Sequence, residues 1–352
     1  FGSAEEDLTV TLGGGTLTWG AAGWLAAGDT LRLSGLYSYA ETILTNDLDF
    51  GAGHEEIQVR DNTHSGADFA TLSGAISGTN GFQKDQDGML FLSGTSSTYT
   101  GETEIVQGEL VVMSLGNSTS GPATSSVGAT AAANILANAV TLTHDGNQPS
   151  TLIYVGAGET SDRYINLEGT NTNTTRDHRI YANGTGPLIL TNLVNNQTAV
   201  NRELYLRGTN QAGNMITSVI GDSGANPFNV LVDGSATWIL SGDNTYSGVT
   251  SPNAGALGIG HNNALGTSLI SIRDGIMFAY GADRTLANEV QLDNGRTSGY
   301  IGQYSLTFTD ASVRNEGNAG FILNNSIDST NGASLTFTGD IDNSELAGTT
   351  DT

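Results

Sequence analysis

The feature that most constrains this chain is that it matches itself. One stretch reads Gly88-Met-Leu-Phe-Leu-Ser-Gly94, then Tyr99-Thr-Gly101 and Gly108-Glu-Leu110. Another reads Thr237-Trp-Ile-Leu-Ser-Gly242, then Tyr246-Ser-Gly248 and Gly255-Ala-Leu257. From the tyrosine onward both obey Tyr-x-Gly-x6-Gly-x-Leu. Downstream, Leu136-Ala-Asn-Ala-Val-Thr-Leu142 matches Leu286-Ala-Asn-Glu-Val-Gln-Leu292. The two sets of pairs lie 147 and 150 residues apart, which predicts a long duplicated unit with small insertions. On this reading 88–142 and 236–292 share one local fold. A weaker echo, alternating apolar residues closed by Gly, recurs at 31–35, 90–94, 165–169, 204–208, 238–242 and 335–339. It reads as a strand ending in a sharp turn that Gly permits.

The alphabet says which elements repeat. The chain has 48 Gly, 5 Pro and 14% charged residues, and Gly, Asn, Ser and Thr are poor in helix interiors. Hydrophobic residues still make up 37% and alternate in runs such as Leu8-Thr-Val-Thr-Leu12 and Leu335-Thr-Phe-Thr-Gly339. Period-two patterning means sheet faces to bury. The longest helical pattern is the Ala-rich stretch 128–140. Tandem sandwiches would repeat their spacing, and a propeller would repeat near 40 to 50 residues. Neither period is present. The expectation is an all-β parallel β-helix, a β-solenoid with irregular corner loops such as 171–177. Its organisation is read as coils 1–87, a first long unit 88–235 and a second unit 236–352, in one continuous solenoid. Leu90, Leu92, Leu110, Trp238, Leu240 and Leu257 are the predicted core.

Trp238-Ile-Leu-Ser-Gly-Asp-Asn-Thr-Tyr-Ser-Gly-Val-Thr250, followed by Gly255-Ala-Leu257, resembles the autotransporter-associated β-strand repeat, also called the passenger-associated transport repeat, of secreted bacterial surface proteins. The earlier copy carries Lys84 and Gly88 upstream, and its turn Thr95-Ser-Ser-Thr-Tyr99 is one residue longer than the family's. The motif positions are Leu90, Leu92, Gly94, Tyr99, Gly101, Gly108 and Leu110, then Trp238, Leu240, Gly242, Tyr246, Gly248, Gly255 and Leu257. The resemblance implies a right-handed parallel β-helix, export across the bacterial envelope, and a cell-surface or extracellular location. The chain's start lacks the pattern of a signal peptide and its end lacks the alternating aromatic strands of a barrel, so it reads as a mature or excised piece.

Little else in the chain carries chemistry. The net charge of -24 leaves no basic patch for nucleic acid or an anionic membrane. No Cys is present, so disulfides and thiolate metal sites are excluded. No cofactor is expected; Ca2+ at Asp/Asn turns such as 340–343 is the one ion whose ligand chemistry the sequence offers, without a full calcium-loop spacing. His54, His64, His144, His178 and His261 form no zinc motif. The neighbours Arg60/Asp61, Asp162/Arg163 and Arg176/Asp177 read as solvated corners rather than a lyase base with its carboxylates. Tyr99 and Tyr246 read as packing over a turn rather than as sugar-stacking residues.

The functional expectation is therefore a non-catalytic structural or adhesive β-solenoid. Its partners are further repeats of the same polypeptide or copies of itself joined end to end, with surface glycans as a further ligand class. The alternatives are a polysaccharide lyase or hydrolase on the same fold, marked by a groove with three or more carboxylates from adjacent coils, and a glycan-binding module, marked by exposed aromatics.

Overall fold

The structure, a computed structural model, describes residues 1–20, 24–119, 124–129, 137–143, 148–169, 177–196, 202–292, 297–309, 313–315, 320–322, 333–339 and 341–342. The expected corner loop 171–176, most of the Ala-rich stretch and the ends of the Asp340–Asn343 turn lie outside them. The described residues hold short strands and turns and no helix. Contacts divide the chain into two compact units, Phe1–Ala199 and Val200–Thr352.

In the first unit one face is built from Leu8–Val10, Thr42–Leu44, Ala70–Leu72, Met89–Leu92, Gly108–Val112, Ser150–Tyr154 and Asp177–Ala182. A second face takes the strands between them: Thr30–Leu33, Glu55–Val59, Phe82–Asp85, Thr103–Ile105, Val140–Leu142, Ile165–Leu167 and Leu193–Asn195. Each strand pairs in parallel with its counterpart one turn earlier, which defines a parallel β-helix. Ala70, Leu90 and Leu110 stand in register, a step of 20 residues per coil. From Leu110 to Leu152 the step is 42 residues, because a corner insertion follows Val112.

Alternation puts one side of every strand inward, so like positions stack in columns. Leu44, Leu72, Leu92, Val112 and Tyr154 form one, all buried. Trp19, Phe50, Phe82 and Tyr99 make an aromatic ladder with successive centroids 5.8, 5.4 and 6.0 Å apart. Aromatic edge contacts of this kind add about 0.5–1.5 kcal/mol beyond their burial.

The second unit is built the same way. Arg202–Gly208, Phe228–Val232, Val249–Pro252, Leu269–Ile272, Val290–Leu292, Val313–Asn315 and Ile341–Asp342 form its longest face. Asn214–Ile216, Thr237–Leu240, Ala256–Ile259, Ile276–Ala279, Thr297–Tyr300 and Gly320–Ile322 form another, and Arg284–Leu286, Leu306–Phe308 and Leu335–Phe337 a third. Val230, Thr250, Ile270 and Val290 again stack 20 residues apart. Trp238, Leu257, Met277 and Tyr300 fill the interior column. Phe308 and Phe337 stack at 5.1 Å.

Candidate functional site

The two motif copies share one internal pairing but sit on different faces: the first sets its leucine strands on the face that begins with Leu8–Val10, the second on the face that includes Asn214–Ile216. In the first, Leu90 pairs with Leu110 and Leu92 with Val112; in the second, Trp238 pairs with Leu257 and Leu240 with Ile259. Leu90, Leu92, Leu110, Trp238, Leu240 and Leu257 are all buried. Both tyrosines are wholly buried, and each shares a hydrogen bond with the threonine four residues on: Tyr99 with Thr103 Oγ1 at 2.5 Å and Tyr246 with Thr250 Oγ1 at 2.7 Å. The residue before each tyrosine donates its N–H to the previous coil, Thr98 to Ile76 O and Thr245 to Ile220 O. Each tyrosine carbonyl accepts from the next turn, from Ala129 and Thr267. Burial raises both phenol pKa values.

The conserved spacing of glycines has a steric cause. A Cβ on Gly101 would stand 2.0 Å from Gly81 N, and one on Gly248 2.3 Å from Phe228 O, so the backbone of the coil below leaves room only for hydrogen. Gly94 and Gly242 meet carbonyls of Gly74 and Ser218 in the same way. Gly108 and Gly255 have φ of +73° and +68° and turn the chain into the next strand.

The likeness ends at Val112 and Ile259, short of the expected 142 and 292. In the second copy the short turn 261–266 leads straight into Leu269–Ile272, which pairs with the Thr250 strand. In the first copy an insertion intervenes, and Val140–Leu142 pairs with the Thr103 strand. The matched Asn-x-Val-x-Leu segment therefore lies one coil later in the second copy, where Leu269–Ile272 separates it from the motif. Every coil offers the same slot, so the segment fits in either. Asn138 and Asn288 are both buried and donate to backbone carbonyls, of Ala129 at 3.1 Å and of Ser268 at 2.8 Å.

Two buried cations in the first unit were not legible as such. Lys84 stands in the interior column Leu31, Ile57, Lys84, Ile105, Leu142, where every other member is aliphatic. Its Nζ donates to Gln86 O at 2.5 Å, to Gln107 O at 2.9 Å and to Gly88 O. Burial pulls its pKa down to about 7 against the opposing pull of Asp85, Glu109 and Asp87. Arg163, expected as a solvated corner, is buried instead. Its guanidinium donates to the carbonyls of Leu115, Ala129, Asn138 and Gly128 at 2.9–3.2 Å, so the corner insertion wraps around it. Asp162 and Glu159 accept from the amides of Ser118, Leu115 and Gly116 at the base of the same insertion. The reason is geometric: a corner that carries an insertion has surplus carbonyls, and five fixed N–H donors satisfy them at once.

A cavity of about 260 Å³ on the first unit is lined by Asp61, Asp68, Asp87 and Glu109, carboxylates from neighbouring coils. Burial, then Asp68 and Asp87, raise the pKa of Asp61; burial raises that of Glu109. Among the described residues no group of three or more His, Asp or Glu is arranged to hold a metal ion. His178 is buried on a strand, burial lowers the pKa of His54, and His261 Nδ1 lies 3.8 Å from Asp243. His144 and Arg176 lie outside the described residues.

The passenger-associated-transport-repeat family model matches residues 82–112 and 232–259, the same two segments whose strands, tyrosines and glycines coincide. The chain carries two passenger-associated transport repeats. The repeat thus spans one full coil step, from the strand before Gly88 or Ala236 to the strand after Gly108 or Gly255. Over 133 residues, 36% of the chain, the sequence is 35% identical to the adhesin BmaC autotransporter of Brucella suis biovar 1 (strain 1330). The matched stretch spans 4% of that protein. No solved structure matches the chain.

Proposed function

We propose that this chain is a stretch of an extracellular bacterial passenger whose coils form a non-catalytic adhesive scaffold at the cell surface. The observation that carries the reading is the placement of both transport repeats inside parallel coils, together with the likeness to an autotransporter adhesin. Stacked coils need only their neighbours for stability, so a chain of any length can be built by repetition. Each parallel strand also templates the next, which makes further coils of the same polypeptide, or another copy of the chain, the partners we assign. The net charge of -24 opposes nucleic acid and anionic membrane surfaces. Beads coated with the purified chain are expected to adhere to host-cell monolayers above albumin-coated beads; equal adhesion would overturn the reading.

One observation favours a second reading. The cavity holding Asp61, Asp68, Asp87 and Glu109 gathers carboxylates from adjacent coils, with the pKa values of Asp61 and Glu109 raised by burial, the raw material of general acid catalysis on polysaccharides. Lys84, the buried amine whose charge acts on Glu109, is committed to three backbone carbonyls. New reducing ends released from a polysaccharide by the wild-type chain, and not by Asp87→Asn, would establish this reading in place of the scaffold.

A further inference from the structure

Of the large apolar side chains exposed among the described residues, Leu36 (51%), Tyr37 (84%) and Tyr39 (51%) lie on one turn of the first unit. Leu36 and Tyr37 border a cleft of about 370 Å³ that Arg32, Ser34 and Ser38 complete. The turn presenting them is rigidly mounted. Ser38 N donates to Gly35 O at 2.8 Å, closing the turn. Ser34, a non-glycine residue at φ +61°, is held there by its Oγ on Asp68 O at 2.6 Å. Buried Asn62 donates to Ser38 O at 2.8 Å, and Ser65 Oγ donates to Tyr39 O at 2.9 Å. Left-handed backbone at a non-glycine residue persists only where its surroundings over-determine it, and it gathers at ligand sites.

We propose that the turn 34–39 is a binding site for a neutral saccharide, whose pyranose C–H face stacks on Tyr37 beside Leu36 while its hydroxyls meet Arg32 and the serines. The proposal deepens, and rests on, the adhesive reading above. Three features select this occupant. A cleft of this size lies within the range of small-ligand sites, about 300–1,000 Å³. A single turn falls well short of the roughly 800 Å² per side that a protein partner covers. The strongly negative chain repels anionic sugars, and Arg32 Nε is already engaged by Gln58 Oε1 at 3.0 Å. Tyrosine suits the task because it gives a large amphipathic surface with few rotors to freeze.

The test uses the full 352-residue chain with maltohexaose, cellohexaose, mannohexaose, N-acetylchitohexaose and the anionic oligogalacturonate, read by saturation-transfer NMR and tyrosine fluorescence. At least one of the neutral sugars is expected to bind saturably, and Tyr37→Ala is expected to weaken it about tenfold or more, the scale of one lost stacking contact. Tyr37→Ala changes an exposed side chain, and Tyr280→Ala, at an exposed tyrosine of the second unit, is expected to bind as the wild type does. Absence of saturable binding, unchanged affinity in Tyr37→Ala, or binding confined to oligogalacturonate would overturn the site. Bead adhesion measured in parallel separates the two readings: adhesion that survives without any saccharide binding sinks the site and leaves the scaffold standing.

Discussion

At the scale of the residue, the least expected side chain is Lys84, a cation in an aliphatic column. Its three carbonyl acceptors match the three N–H groups of an ammonium, while burial pulls the pKa from 10.5 to about 7. The folded state therefore releases this proton at lower pH than the unfolded chain does. Between pH about 7 and 10 the unfolded state holds more protons, so this group's contribution to stability rises with pH, and below about 7 its full cost is present. The difference in denaturation midpoint between wild type and Lys84→Met is expected to shift in favour of the wild type from pH 7 to 10; a flat difference would refute the assignment. The tyrosines give a second measurement. Tyr99→Phe and Tyr246→Phe each remove one buried hydrogen bond to a threonine and are expected to cost about 0.5–1.5 kcal/mol, seen in urea unfolding. Tyr246→Phe is expected to cost more, because Thr250 Oγ1 also bonds Ser268 Oγ at 2.7 Å and the chain of hydroxyls loses its end.

At the scale of the element, the motif is one coil step whose glycines are sites of contact with the coil below. Gly108→Ala would set a Cβ 2.5 Å from Gln86 O at φ +73°, and Gly255→Ala one 2.6 Å from Ala236 O at φ +68°. Each is expected to lower stability by about 2 kcal/mol or more, from left-handed strain plus the clash. Gly35→Ala, with nothing within 4 Å and an ordinary φ, is expected to be neutral by the same thermal melt. The corner insertion after Val112 depends on Arg163. Arg163→Met takes the donor from the carbonyls of Leu115 and Asn138, each costing about 1–3 kcal/mol if unreplaced, while those of Ala129 and Gly128 keep the side chains of Asn138 and Ser125. Faster proteolytic cleavage between 113 and 139, with the second unit's motif still protected, is the expected result; unchanged cleavage would show that Asp162 and Glu159 hold the insertion alone. The strands and their inward residues were legible because alternation has a period that a sequence displays. Arg163 was not, since its acceptors lie 25 to 48 residues away and no local pattern announces them.

At the scale of the whole molecule, charge governs how copies meet. A net charge of -24 disfavours close approach at neutral pH and low salt, where the Debye length is about 10 Å at 0.1 M, and the repulsion collapses near the sequence pI of about 4.2. Light scattering is expected to report separate chains at pH 7.5 in 0.02 M salt and growing assemblies as pH falls toward 4.2 or salt rises to about 0.5 M. Assembly independent of both would point to contacts that charge does not oppose. The sequence by itself determined an all-β parallel solenoid, its coil motif and the buried rank of Leu90, Leu110, Trp238 and Leu257, because backbone periodicity and glycine spacing are local quantities. Only the tertiary structure decided where the downstream Asn-x-Val-x-Leu segments sit, since each coil presents an equivalent slot and nothing in the segment itself counts coils. It also decided that Lys84 and Arg163 are interior posts and that Asp61, Asp68, Asp87 and Glu109 share one cavity. Those facts depend on which coil stacks on which, and stacking joins residues about 20 or more apart whose proximity no local spacing encodes.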